Sequence, residues 1–208
     1  MPRDKKSKKT YLDFISYISI VFTIMIIPLA YILPKTISWE NGFLENLQVV
    51  VLLTGCLVAF TFYKRTYYHR IHYMWLTVSG VFLLLMCREL SWGRVFFQIK
   101  MTEEGPKFIL MSQVPYHMFI NAFLGIFIVM LIIGAIKTIP WRIIIFKVPV
   151  PKIPWGLIFL GVVFSIIGDH GWIFAGYQGE TIEELAELLF YFWAIMLTIY
   201  YYHCLNKV

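Results

Sequence analysis

The stretch HMFINAFLGIFIVMLIIGAI, residues 117–136, contains no Asp, Glu, Lys or Arg over 20 consecutive positions. A transmembrane α-helix needs about 20 mostly apolar residues. Five further stretches have the same character, at 14–33, 43–63, 73–86, 155–174 and 182–201. The stretch at 73–86 is short, and its helix reaches full length only by continuing through Arg88, Glu89 and Arg94 to about residue 97. The sequence therefore predicts an all-α, polytopic transmembrane helix bundle with six spans.

The composition supports this class. Of the 208 residues, 60% are hydrophobic and only 14% are charged, whereas soluble domains have roughly 45–50% apolar and about 25% charged residues. This excludes a soluble enzyme, a disordered tail and a secreted disulfide scaffold. The three cysteines, Cys56, Cys87 and Cys204, form no CxxC pair, so we interpret them as reduced thiols.

The basic residues set the expected orientation. With the N-terminus inside, 13 of the 18 Lys and Arg residues fall on the cytoplasmic side, as the positive-inside rule requires. We therefore predict a single transmembrane domain over residues 1–208 in a bacterial-type inner membrane, with both termini cytoplasmic. Residues 1–13 form a basic cytoplasmic N-terminus, and residues 137–154 form a proline-rich interfacial cytoplasmic loop. The basic residues form no stripe with aromatic residues, which argues against nucleic-acid binding.

The acidic residues have the opposite distribution. Ten of the 12 Asp and Glu residues fall at the outer side of this topology. Charges in hydrocarbon are costly and usually face the interior of a bundle, where they pair. The sequence therefore predicts a polar, acid-rich chamber in the outer leaflet, built by Glu45, Arg88, Glu89, His117, Asp169, His170, Glu184 and Glu187.

Three interpretations of these polar residues remain open. In the structural interpretation, Arg88 and Arg94 pair with Glu89, Glu45 or Glu184, and Thr181 caps the last helix in a Thr181-x-x-Glu184 box. The polar residues then lock the bundle or dock a partner, which would be another membrane protein or a second copy of the chain.

In the second interpretation, the polar residues hold a divalent metal such as zinc, iron or manganese. Glu45 or Glu89 would act as the general base of an intramembrane hydrolase on a lipid-like substrate. The sequence contains no HExxH motif. The candidate ligands are His117, Asp169, His170, Glu184 and Glu187.

In the third interpretation, the carboxylates bind or transport a proton or a small cation. The inner halves of the predicted spans carry few polar residues that could continue a path. No internal repeat of the kind found in many transporters is visible.

The motifs ENGFLE at 40–45, RELSWGR at 88–94 and GETIEELAE at 179–187 resemble a type of small, uncharacterised bacterial inner-membrane protein. The resemblance covers most of the chain and implies the membrane location without implying an activity. Alkaline-ceramidase-type hydrolases also place His and acidic residues among membrane helices, but this sequence lacks their set of three metal-binding histidines, so they serve as an analogy alone.

Overall fold

The computed structural model describes residues 3–66, 71–103, 105–171, 173–174 and 176–206, with side chains from residue 15 onward. Helices dominate this part of the chain, as the sequence predicts. The α-helices among these residues are α1 (Arg3–Ile32), α2 (Phe43–Arg65), α3 (His72–Glu89), α4 (His117–Thr138), α5 (Trp141–Phe146), α6 (Lys152–Asp169) and α7 (Tyr177–Leu205).

Four helical segments are long and apolar enough to cross a membrane, judged by length and composition. Each lies where the sequence predicts a span, so these apolar helices are confirmed. The helices at the two other predicted spans, α3 and α7, are not among the four. In α3, His72, Arg88 and Glu89 occupy the ends of an 18-residue helix and lower its mean hydropathy. The four segments are Ile15–Ile32, Phe43–Arg65, His117–Thr138 and Lys152–Asp169.

The third predicted span does not continue to residue 97. Helix α3 ends at Glu89, and a 3₁₀ turn follows at Ser91–Phe96. Ser91, Trp92 and Gly93 have φ values of 44°, 55° and 90°, in the left-handed region that a right-handed helix cannot contain. The expected continuation through Arg94 is therefore wrong.

A β-hairpin follows the 3₁₀ turn, although the sequence predicted an all-α protein. Strands β1 (Gln98–Thr102) and β2 (Gly105–Phe108) pair antiparallel. Gly105 has φ +124°, and a Cβ at this position would lie 3.0 Å from Cγ of Trp39. Glycine therefore allows both the turn and the close approach of the hairpin to the indole ring. We call residues 90–116, between α3 and α4, the α3–α4 segment.

The first turn of α7 also differs from the expectation. The helix begins at Tyr177, so Thr181 is an internal residue and the predicted Thr181-x-x-Glu184 cap is wrong. The Thr181 hydroxyl lies 2.7 Å from the carbonyl oxygen of Tyr177, one turn earlier, and 3.1 Å from Oγ of Ser38. A polar hydroxyl inside a helix commonly bonds to the carbonyl four residues earlier.

The predicted interfacial loop at 137–154 contains a short helix. Helix α4 ends at Thr138, α5 begins after Pro140, and α6 begins after Pro151. Proline lacks the amide hydrogen that a continuous helix needs, which explains why the segment is interrupted.

The chain divides into two compact units, each described here by itself. Unit 1 comprises Met1–Ser38 with Val150–Trp193, and unit 2 comprises Trp39–Pro149 with Ala194–Val208. In unit 2, Phe62, Met74, Trp75, Val148 and Leu205 form a buried apolar cluster. The ring of Phe62 stacks on that of Tyr202 with centroids 3.7 Å apart, so this packing joins α2 to the end of α7.

Glycines bring α6 and α7 together in unit 1. A Cβ added at Gly168 would lie 2.6 Å from the carbonyl oxygen of Gly179, and one at Gly161 would lie 3.1 Å from that of Ala186. Small residues let the backbones of membrane helices approach closely. The α6–α7 contact is therefore fixed by backbone shape as well as by side chains.

Candidate functional site

The polar residues of unit 2 gather where α2 begins and α3 ends. Glu40 precedes α2, and its carboxylate pairs with the guanidinium of Arg94 in the 3₁₀ turn. The hydroxyl of Ser91 donates to the same carboxylate oxygen, Oε1, at 3.2 Å. The side chains of Glu40 and Arg94 are each 32% exposed, so the pair is partly shielded from solvent. Glu40 therefore ties the 3₁₀ turn to the start of α2.

Glu45, a candidate general base, lies in the first turn of α2. Its Oε2 accepts a hydrogen bond from the backbone N–H of Asn41 at 2.5 Å. The side chain of Asn46 donates to the backbone oxygens of Asn41 and Gly42 at 2.9 and 2.7 Å. A carboxylate near a helix N-terminus is stabilised by the helix dipole and by the amide hydrogens there. This arrangement gives Glu45 a role in fixing the start of α2.

Glu89, the other candidate base, is the last residue of α3 and is buried. Its Oε1 lies 3.0 Å from Nε of Arg88, the preceding residue. The Glu89 side chain is only 6% exposed, while that of Arg88 is 50% exposed. A buried carboxylate needs a charged or hydrogen-bonding neighbour to offset its lost hydration, and Arg88 supplies one.

His117, a candidate ligand, is the first residue of α4. Tyr116 precedes it in a left-handed conformation, with φ 60°. The backbone N–H of His117 donates to the carbonyl of Val114 at 3.1 Å. Its position places an imidazole at the junction between the α3–α4 segment and the apolar helix α4.

The candidate ligands of unit 1 lie on α6 and α7. At the end of α6, Nδ1 of His170 lies 3.4 Å from Oδ2 of Asp169 and 3.0 Å from the carbonyl oxygen of Ile166. Both side chains are at least half exposed. The imidazole therefore closes the last turn of α6 as well as contacting its acidic neighbour.

On α7, Glu184 and Glu187 are half-buried. The hydroxyl of Ser165 on α6 donates to Oε1 of Glu187 at 3.3 Å, and the hydroxyl of Tyr191 lies 3.5 Å from Oε2. Ser165 lies in the apolar segment Lys152–Asp169. Glu187 thus contributes a polar contact between two closely packed helices.

A metal site needs several ligand side chains close together, and the candidate ligands can be compared with this requirement. Within the described ranges, no group of three or more His, Cys, Asp or Glu side chains is placed to hold a metal ion. Structural and catalytic zinc sites take at least three protein ligands. The contacts of the described residues include the pairs Arg94 with Glu40, Arg88 with Glu89, Asp169 with His170, and Glu187 with Ser165.

Glu40 makes a contact with Arg94 that the sequence did not predict. Glu40 was predicted to be one of ten acids at the outer side. Its partner Arg94 was expected to pair with Glu89, Glu45 or Glu184. The two residues are far apart in the sequence, so spacing gives no signal for the pair. The ELSWGR motif does indicate a turn, because Gly93 within it permits the left-handed conformation that brings Arg94 back toward α2.

No protein-family model, no curated protein and no solved structure matches this chain.

Proposed function

We propose that this chain is a multi-pass protein of a bacterial-type inner membrane, with six spans and both termini in the cytoplasm, which docks a membrane-protein partner on its outer side. The four apolar helices support the membrane location. Helices α3 and α7 would supply the other two spans. The excess of Lys and Arg residues on the predicted cytoplasmic side supports this orientation.

With this orientation the α3–α4 segment lies outside the membrane. The observation that carries the docking proposal is the contact of Arg94 and Ser91 with the Glu40 carboxylate. It fixes the 3₁₀ turn, while Trp39 contacts the hairpin at Gly105. Two-stranded hairpins are marginally stable alone, so these contacts favour a defined surface for recognition.

The α3–α4 segment exposes large apolar side chains. On β1, Ile99 and Met101 are each 61% exposed and flank Lys100. Contiguous exposed apolar residues with polar neighbours are typical of protein interaction sites. Within the described part of the chain the sheet has two strands, so each strand also offers one edge for pairing with an extended partner segment. The exposed apolar residues of the segment include Phe96, Ile99, Met101, Leu110 and Tyr116.

The contacts of the carboxylates support a structural role for the acids. Glu40 and Glu89 contact arginines, Glu45 accepts from the backbone at the start of α2, and Glu187 bonds across α6 and α7. In this proposal each of these contacts stabilises the local fold. The acids then shape the outer ends of the helices, and the apolar hairpin makes the contact with the partner.

Site-specific photocrosslinking in intact cells tests this proposal. A benzophenone amino acid replaces Met101 on the hairpin, and a matched control places it at Ile132, which is exposed on α4 outside the segment. We expect a discrete protein adduct from position 101 that position 132 does not give. An adduct at twice the mass of the chain would identify a second copy as the partner.

Charge reversal then tests the Glu40–Arg94 contact. We expect Arg94→Glu to remove the adduct, because two carboxylates would repel and release the 3₁₀ turn. The double variant Glu40→Arg with Arg94→Glu restores opposite charges and should restore the adduct. An adduct that is unchanged in Arg94→Glu, or that forms equally from both crosslinker positions, would contradict the proposal.

A further inference from the structure

Unit 2 contains an apolar cavity of about 330 Å³ beside the 3₁₀ turn. Pockets that bind small molecules commonly measure roughly 300–1,000 Å³. The cavity lies between the last two turns of α3 and the first half of α4. Its lining includes Leu84 and Cys87 on α3, Trp92, Gly93 and Phe96 in the 3₁₀ turn, and Leu124 on α4.

Small residues explain where the cavity begins. Farther from the 3₁₀ turn, α3 and α4 are in close contact: a Cβ at Gly80 would lie 2.6 Å from Cδ2 of Leu131, and one at Gly134 would lie 2.7 Å from Oγ1 of Thr77. Toward the end of α3, larger side chains replace these small residues, and the cavity opens between the helices. The cavity is therefore a wedge closed at one end by helix contact.

The 3₁₀ turn closes the other end of the wedge. Trp92, Gly93 and Phe96 line the cavity, and the left-handed conformation of Trp92 and Gly93 turns the chain across the end of α3. The position of this turn is fixed by the contact between Arg94 and Glu40. The space is thus bounded along α3, along α4 and at the turn.

We propose that this cavity binds an acyl chain of a membrane phospholipid. Its lining includes no charged side chain, and an apolar cavity does not hold ordered water. Helix α4 is one of the four apolar segments and has no buried residue in its length, so the part of its surface that does not contact α3 would lie against hydrocarbon in a bilayer. Phospholipid acyl chains are the abundant flexible apolar groups at this depth, and one of them would fill the wedge.

The end of α3 also suits the polar part of such a lipid. Arg88 follows Cys87, which lines the cavity, and its side chain is half exposed. Trp92 lies at the turn, where an indole ring is favoured at a membrane interface. A headgroup phosphate beside Arg88 and a chain along Leu84 and Leu124 would place each part of the lipid in a matching environment. Lipid binding in the wedge rests on the proposed membrane location with α3 as a span, and it does not require a protein partner.

Photoreactive lipid mapping tests the proposal on the full-length protein. The protein is reconstituted in nanodiscs of phosphatidylethanolamine and phosphatidylglycerol that contain a trace of phosphatidylcholine with a diazirine in its acyl chain. After illumination, mass spectrometry locates the adducts. We expect them to concentrate on the wedge, at Leu84, Cys87 and Leu124, above the level at Phe159, which is exposed on α6. An even spread of adducts over exposed apolar side chains would overturn the proposal.

A matched pair of variants adds a second readout. Leu84→Trp fills the wedge, and we expect it to lose most of the adducts at Leu124. Leu53→Trp makes the same change on α2, where Leu53 is exposed and does not line the cavity, and it should keep the wild-type pattern. Equal patterns in the two variants would contradict the proposal.

A second lipid probe identifies the source of the chain. A diazirine fatty acid of the same length, at the same molar fraction, should label the wedge less than the phospholipid does. Stronger labelling by the fatty acid would overturn the assignment to a phospholipid.

Discussion

Individual carboxylates in this protein make contacts that sequence spacing does not reveal. Glu45 was a candidate general base, yet its carboxylate accepts the N–H of Asn41 at the start of α2. Glu40 was noted in the sequence as one of ten outer acids and as the first residue of the ENGFLE motif, without a predicted partner, and its carboxylate contacts Arg94 and Ser91. Apolar periodicity predicts which acidic residues lie at similar depths in the helix bundle. It does not predict their partners, because those depend on turns that few local sequence signals specify.

Glycine positions give the sharpest prediction for a single residue. We expect Gly168→Ala to lower the free energy of unfolding by roughly 1–3 kcal/mol, the usual cost of overpacking. The added methyl group would lie 2.6 Å from the carbonyl oxygen of Gly179 and 2.8 Å from the backbone nitrogen of Glu183. Thermal unfolding in mild detergent measures the change.

Gly156 on the same helix is the matched control. A Cβ there meets nothing within 4 Å, and alanine has the better helix propensity by up to about 1 kcal/mol. Gly156→Ala should therefore leave the unfolding temperature unchanged or raise it. Equal destabilisation by the two variants would show that the close contact at Gly168 does not hold α6 and α7 together.

At the scale of elements, the long apolar helices were the predictable part of the fold. The predicted starts of α2 and α4, at Phe43 and His117, agree with the structure, because an abrupt rise in hydropathy marks them. The hairpin and the end of α3 were not predicted. The two strands have only five and four residues, and β2 includes Pro106, so the hairpin gives a weak sequence pattern. The end of α3 was not predicted because the left-handed turn at Trp92 and Gly93 interrupts an otherwise helical stretch.

The contact between the hairpin and Trp39 gives a prediction for this element. Gly105→Ala should speed hydrogen exchange of the amides in residues 98–108, because alanine at φ +124° is strained by about 1–3 kcal/mol and its methyl group would lie 3.0 Å from the indole. Exchange mass spectrometry reads this segment directly.

Gly125→Ala on α4 is the control, since a Cβ at this position meets nothing within 4 Å. It should leave exchange in the hairpin unchanged. Wild-type exchange in Gly105→Ala would mean that the contact with Trp39 does not stabilise the hairpin.

At the scale of the whole molecule, composition predicted a membrane protein, and four helices have the length and hydropathy to cross a bilayer. Hydropathy identifies such helices because a bilayer requires about 20 apolar residues in succession. Helices α3 and α7 are not among the four, and in α3 the charged residues Arg88 and Glu89 form the end of an 18-residue helix. The proposed orientation rests on the distribution of Lys and Arg, and it determines that the α3–α4 segment faces outward.

Cysteine accessibility tests this central claim most directly. The native Cys56, Cys87 and Cys204 are replaced by serine or alanine, and single cysteines are introduced as Lys100→Cys in β1 and Lys147→Cys after α5. A membrane-impermeant maleimide is then applied to intact spheroplasts and to permeabilised ones. We predict that position 100 reacts in intact spheroplasts and that position 147 reacts only after permeabilisation. Labelling of position 147 alone, or of both positions equally, in intact spheroplasts would contradict the six-span topology and the outward-facing docking segment.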